Sequence, residues 1–80
     1  MTKIKVIYGT EWCGDCTRTK KYLDERGIPY AWIDTDSSAE GAKKIEELNK
    51  GGGRVPTIVF EDGSILIEPT NKELKKKLKE

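Results

Sequence analysis

The sequence predicts an α/β fold in the order β-α-β-α-β-β-α, a four-stranded mixed sheet flanked by helices on both faces. Three observations carry this expectation. Two apolar strand patterns bracket a helical segment with short connections, which is the pattern of a parallel βαβ unit. An Asp62-Gly63 turn separates two further strand patterns, the signal of a hairpin. Cys13 and Cys16, the chain's only cysteines, stand where the first strand gives way to the first helix.

The elements follow in order. In Lys3–Tyr8, Ile4, Val6 and Tyr8 alternate with Lys5 and Ile7, so the segment reads as a largely buried strand that Gly9 ends. Thr10–Gly14 is a loop into a helix of about Cys13–Arg26, with Thr19 and Leu23 on one face. Gly27 suits the residue just past that helix, and Pro29 follows it. Tyr30–Asp34 is the second strand. Ser37 or Ser38 caps a helix over Ala39–Asn49, with Ala42, Ile45 and Leu48 as its apolar stripe. Thr57–Phe60 and Ser64–Ile67 are the hairpin strands. Thr70-Asn71-Lys72-Glu73 has the S/T-x-x-E form of a capping box and opens a last helix to about Leu78. Leu74 and Leu78 face the core there, and Lys75-Lys76-Lys77 reads as a solvated face at the helix C-terminus.

Eighty residues are expected to form one domain, 1–80. Hydrophobic residues make up 35% and charged residues 36%, a thin core under a charged surface. The 15 basic and 14 acidic residues leave a net charge of +1, which gives no case for nucleic acid or a membrane surface as partner. The apolar stretch Ile4–Tyr8, interrupted by Lys5, is too short for a signal peptide or a membrane span. The expected state is a monomer in the reducing cytoplasm, where persistent structural disulfides are rare and catalytic ones are the usual exception. A Cys13–Cys16 bridge closes only a tiny loop and adds little stability, so the use of these cysteines is expected to be chemical.

The spacing in Trp12-Cys13-Gly14-Asp15-Cys16 lets the two thiols close on each other. At a strand-to-helix junction this reads as a redox motif. Unpaired amides and the helix dipole at the start of the helix favour a thiolate at Cys13, while the carboxylates of Glu11 and Asp15 work against it and Arg18 and Lys20 offset part of their effect. Cys13 is therefore expected to be the nucleophile and Cys16, one turn on, the resolving thiol. Zinc wants four nitrogen or sulfur ligands, and this chain has no histidine, so a metal centre within one chain is not expected. A metal or iron–sulfur site shared between two chains is the rival from another class. Trp12 is expected to offer an apolar contact beside the nucleophile, Tyr8 to be a buried strand tyrosine, and Trp32 to serve packing.

These residues resemble the glutaredoxin branch of the thioredoxin superfamily, most of all the mycoredoxin-type bacterial glutaredoxins. The resemblance spans essentially the whole chain. Its anchors are Ile7-Tyr8 leading to the Cys-Gly-Asp-Cys segment, Gly51-Gly52-Gly53-Arg54-Val55-Pro56-Thr57, and Phe60-Glu61-Asp62-Gly63-Ser64. It implies a thioredoxin fold, a cis Val55-Pro56 peptide packed against Cys13, and pairing of the Val55 backbone with substrate. The implied activity is reduction of protein disulfides, or of mixed disulfides between proteins and small thiols. No bound cofactor is implied. Electrons would come from a low-molecular-weight thiol such as glutathione or a mycothiol-like thiol, or from a flavin-dependent thioredoxin reductase. The chain departs from the glutathione-using pattern at several places. Thr10 stands where Lys is usual, Arg54 where Thr is usual, and Gly-Asp where Pro-Tyr is usual between the cysteines. Pro69-Thr70-Asn71-Lys72-Glu73 lacks the usual double Gly and paired Asp. Thr10, Glu11, Trp12, Arg54 and Thr70 join Val55 and Pro56 as candidate substrate-binding residues, with Asp15 tuning the pair and Arg54 suited to a carboxylate.

Overall fold

The structure, a computed structural model, describes residues 3–78. The order is β1 (Ile4–Gly9), α1 (Gly14–Glu25), β2 (Ala31–Asp34), α2 (Ala39–Leu48), β3 (Thr57–Phe60), β4 (Ile65–Ile67) and α3 (Asn71–Leu78). The strands form one four-stranded sheet in the order β2-β1-β3-β4. β1 runs parallel to β2 and antiparallel to β3, and β3 runs antiparallel to β4. The βαβ half and the hairpin half of the sequence thus meet along β1 and β3. Gly9 is the last residue of β1 rather than the first beyond it; it pairs with Asp34, and its carbonyl accepts from the Thr35 N–H at 2.9 Å.

β1 departs from plain alternation in an instructive way. Its register against β3 shifts between Ile4 and Val6, and Lys5 stays exposed there. The extra residue of a bulge reverses the side-chain alternation on either side of it. Ile4 therefore shares a core with Ile7 rather than with Val6 and Tyr8. The alternation read from sequence put Ile4 with Val6 and Tyr8; the bulge moves it across the sheet and keeps the Lys5 charge in water.

The two faces are unequal. Ile4, Ile7, Tyr22, Leu23, Ile58, Phe60, Leu74 and Leu78 form the core between the sheet and α1 with α3. On the other face Val6, Tyr8 and Ile45 lie under α2. Full burial of side chains such as Leu23, Phe60 and Leu74 is worth roughly 1.5–3 kcal/mol each. The buried residues of α2 are Gly41 and Ile45, while Ala42 and Leu48 of the expected stripe are half-buried. A Cβ on Gly41 would stand 2.6 Å from the Ile33 methyl, so the missing side chain sets how closely α2 approaches β2.

Turns and caps follow local chemistry. Gly63 takes a φ of +89° in the β3–β4 hairpin, which the Phe60 N–H closes on the Ser64 carbonyl at 2.9 Å. Ser38 caps α2, accepting from the Gly41 N–H at 3.0 Å. Thr70 and Glu73 form the reciprocal capping box of α3 at 3.0 and 3.1 Å. Lys77 is not merely solvated. Its ammonium lies 5.4 Å from the Phe60 ring centroid and 3.4 Å from an Asp62 carboxylate oxygen.

α1 and α2 end in the same motif with different residues. The Gly27 and Ile28 N–H groups return to the carbonyls of Asp24 and Leu23, and those of Lys50 and Gly51 return to Glu47 and Glu46. Gly27 holds the left-handed position at φ +66°, whereas in α2 Lys50 holds it at φ +54°. A Cβ in that conformation costs about 1–2 kcal/mol. Lys50→Gly is expected to stabilise the protein by ~0.5–1 kcal/mol, the strain relieved less the added freedom of the unfolded chain. A urea unfolding midpoint that stays level or falls in the variant would contradict this.

Candidate active site

The loop Thr10-Glu11-Trp12 leaves the central strand and turns directly into α1. Cys13 is the residue that caps this helix. Its φ and ψ of −83° and 122° are extended, its carbonyl takes the Thr17 N–H at 3.1 Å, and its side chain makes no cap hydrogen bond. A serine or aspartate oxygen here would accept from the amides of the first turn. With a thiol in its place, those donors remain open to a sulfur anion. Cys13 is half-buried, and its Sγ lies 3.8 Å from the Val55 carbonyl oxygen.

Cys16 lies one turn further on and is wholly buried. Both cysteines are free thiols. Burial pushes the Cys16 thiol up from an ordinary 9.0 to about 11, and the adjacent Cys13 sulfur pushes the same way. The backbone N–H of Thr10 works in the opposite direction, with a smaller contribution from its hydroxyl. That hydroxyl is buried without a fully formed hydrogen bond, which fits its minor part. The backbone of Gly9 completes the wall. A Cβ there would stand 2.5 Å from Cη2 of Trp32 and 2.9 Å from the Cys16 Sγ, so the indole and the thiol occupy the space a side chain would need. Trp32 serves packing, as expected, against the core and over the strand end beside the buried thiol. Lys20 sits over that ring, 4.3 Å from its centroid, and lines the same concave surface as Glu11.

The Val55-Pro56 peptide is cis. The segment is clamped from two sides. The Glu68 N–H donates to the Pro56 carbonyl at 2.9 Å, and the buried Thr57 hydroxyl donates to the Arg54 carbonyl at 2.8 Å. Asn49, at the end of α2, donates to that Thr57 hydroxyl at 3.1 Å and to the Ile45 carbonyl at 2.8 Å. A polar chain therefore ties α2 to the strand of backbone that faces Cys13.

The sequence-predicted residues fall in distinct surroundings. Thr10 is buried against Cys16, while Glu11 is exposed beside it. Trp12 is 74% exposed and its indole N–H donates to an Asp36 carboxylate oxygen. Arg54 is exposed next to Val55. Thr70 is exposed too, but its hydroxyl is committed to the α3 cap. Asp15 lies 3.6 Å from the Arg18 guanidinium. The same guanidinium donates to the Pro69 carbonyl at 2.9 Å and to Asn71 at 3.3 Å, linking the cysteine helix to the loop before α3. Tyr8 is buried on the α2 face. Sequence reasoning missed Asp36, Asn49, Thr57 and Glu68 as parts of the site. Only Thr57 carried a signal, as the residue directly after Val55-Pro56. Among the described residues no group of three or more His, Cys, Asp or Glu could hold a metal ion, and no helix is long and apolar enough to cross a membrane.

A buried thiol one turn from an accessible one, the latter set against a cis proline segment at the end of a mixed sheet, places the chain among redox proteins of thioredoxin-like fold. Solved structures agree on the fold. A thioredoxin-like protein carrying a single substitution superposes with a TM-score of 0.80 at 22% identity, covering 95% of this chain and 99% of its own. A glutaredoxin from Archaeoglobus fulgidus gives 0.77 at 26% identity, covering 100% and 89%. The glutaredoxin family model matches residues 6–65. A Mycobacterium tuberculosis protein named as a glutaredoxin is 38% identical over 78 residues, 98% of this chain and 93% of that one. Mycoredoxin 1 of Corynebacterium glutamicum is 35% identical over 68 residues, 85% of this chain and 84% of its own. The chain belongs to the glutaredoxin family.

The buried Cys16 thiol and the Tyr30 phenol make stability depend on pH in the alkaline range. Burial and the hydrogen bond to Asp24 push Tyr30 from 10.0 to about 12. Both groups are held neutral in the fold. Their contribution is complete below the unfolded values of 9.0 and 10.0, and is lost as pH rises through about 11 for Cys16 and about 12 for Tyr30. The urea midpoint of the reduced protein should therefore fall from about pH 9 upward, and in Cys16→Ser the fall should begin at higher pH. A midpoint level across that window, or an identical profile in the variant, would contradict the assignment.

Proposed function

We propose that this protein is a thiol–disulfide oxidoreductase in which Cys13 attacks and Cys16 resolves. The observation that carries the reading is the asymmetry of the pair: Cys13 half-buried at an open helix start, Cys16 fully buried with its thiol pushed up to about 11. The Cys13 thiolate attacks one sulfur of a substrate disulfide. A Cys13–substrate disulfide forms, the substrate S–S bond breaks, and the second substrate sulfur leaves as a thiolate. The Cys16 thiol then gives its proton to the departing thiolate and attacks the Cys13 sulfur. This leaves a Cys13–Cys16 disulfide and releases the substrate with one thiol and one thiolate, the latter taking its proton from water, two electrons having passed to the substrate.

The Val55 backbone supports the first step by offering a pairing edge 3.8 Å from the nucleophile. Two equivalents of a small thiol, or a flavin-dependent reductase, restore the dithiol. The likeness to mycoredoxin 1 supports a small thiol of the mycothiol kind over glutathione. Arg54, exposed beside Val55, suits a carboxylate of such a thiol. Glu11 and Trp12 flank the approach to Cys13, Thr10 backs Cys16 from within, and Thr70 supports the loop opposite. The expected setting is the cytoplasm, acting on disulfide-bearing proteins as a monomer.

Cys13→Ser should abolish turnover of every disulfide substrate. Cys16→Ser should lose reduction of protein disulfides yet keep turnover of mixed disulfides between proteins and small thiols, which need no second cysteine. Steady-state assays on both substrate classes, run with mycothiol, glutathione and thioredoxin reductase in turn, check this. Residual activity in Cys13→Ser would overturn the nucleophile assignment, and loss of both substrate classes in Cys16→Ser would overturn the monothiol route.

A further inference from the structure

Trp12 is the most exposed large apolar side chain of the described residues, yet it is not loose. Its indole N–H is held by the carboxylate of Asp36, from the loop between β2 and α2. Asp36 is itself fixed, its backbone N–H donating to an Asp34 carboxylate oxygen at 2.8 Å. An indole pinned at its edge to an anion presents an electron-rich face beside the nucleophile's own position in the chain. Glu11 and Asp36, the carboxylates that flank this ring in sequence and in contact, are exposed, and no Lys or Arg among the described residues pairs with either. The third acid of the motif, Asp15, does have a partner in Arg18. Asp36 is thus the unpaired carboxylate that touches the ring, while Glu11 shares a concave surface with Lys20 and Lys21.

We propose that Trp12 and Asp36 form a cation-reading platform that selects disulfide substrates carrying an arginine next to the reacting cysteine. The inference rests on the thiol–disulfide reading above and supplies its substrate class. A planar guanidinium stacks on an indole face and, from there, reaches a carboxylate at the ring's edge with its N–H fork. An ammonium gains the first interaction but not the second in full. An acidic flank meets Glu11 and Asp36 with like charge. Asp36 acts here as a positioning and specificity residue, and Trp12 as the contact.

The test uses two synthetic peptides with the same cysteine, one flanked by arginine and one by glutamate. Each is offered as a disulfide for kcat/KM and, with serine replacing the cysteine, as a ligand for NMR titration of the Trp12 indole N–H. The arginine peptide should be preferred about fivefold in both readouts, as expected for an exposed cation–π contact with an ion pair. That preference should shrink as salt rises. Asp36→Asn keeps an acceptor for the indole but removes the charge, so it should keep the indole resonance in place and lose most of the preference. Trp12→Ala should lose all of it in the ratio of kcat/KM between the two peptides. Equal use of the two peptides by the wild type, or an unchanged preference in Asp36→Asn, overturns the platform. The titration reads the platform without any redox step, so an inactive protein that still prefers arginine refutes the oxidoreductase reading and not this one.

Discussion

The site depends on β1 being hydrogen-bonded along both edges. A strand paired with β2 on one side and β3 on the other is buried on both faces, and the residues at its end enter the interior. Gly9 and Thr10 are carried inward with it, and α1 starts so soon afterwards that its first turn must pack on the same strand end. Cys16 faces the strand and Cys13 stands at the tip. One spacing of three residues therefore gives two sulfurs with opposite surroundings. No special chemistry is required of the cysteines themselves; the topology distinguishes them.

The rest of the site is built by elements that converge on that tip from separate parts of the chain. α2 contributes through its end, where Asn49 holds Thr57 and so the backbone of Arg54 and Val55. β4 contributes through its end, where the Glu68 amide holds the Pro56 carbonyl. α1 reaches the loop before α3 through Arg18. Each of these ties joins backbone to a neighbouring element, so the geometry between Cys13 and Val55 is fixed by the fold as a whole. The side chains that project to solvent around it, Glu11, Trp12 and Arg54, are free of that duty and available for recognition.

Much of this was legible in the sequence because the signals were local. The CxxC at a strand-to-helix junction, the Asp62-Gly63 turn, the capping box at Thr70 and Glu73, and the glycine after α1 each act within a few residues, and each forms as read. The features not read from the sequence depend on partners distant in the chain. The bulge that moves Ile4 across the sheet arises from pairing with Phe60 and Val59. The burial of Gly41 depends on Ile33, and Trp32 gains its place beside Cys16 only because Gly9 has no side chain. Asp36 and Asn49 carried no motif at all, since a lone carboxylate or amide in a polar loop acquires meaning only from what folds against it. Lys50 shows the opposite failure: its left-handed conformation is one that sequence chemistry disfavours, and the helix end imposes it.

On the proposed reading, Cys13 and Cys16 exchange between dithiol and disulfide as one redox unit. The most direct measurement is their equilibrium in graded thiol redox buffers, read by intact mass. A single transition to an internal disulfide is expected at roughly −200 to −280 mV, the range of glutaredoxins and thioredoxin. Failure to form that disulfide anywhere across the range would contradict that reading.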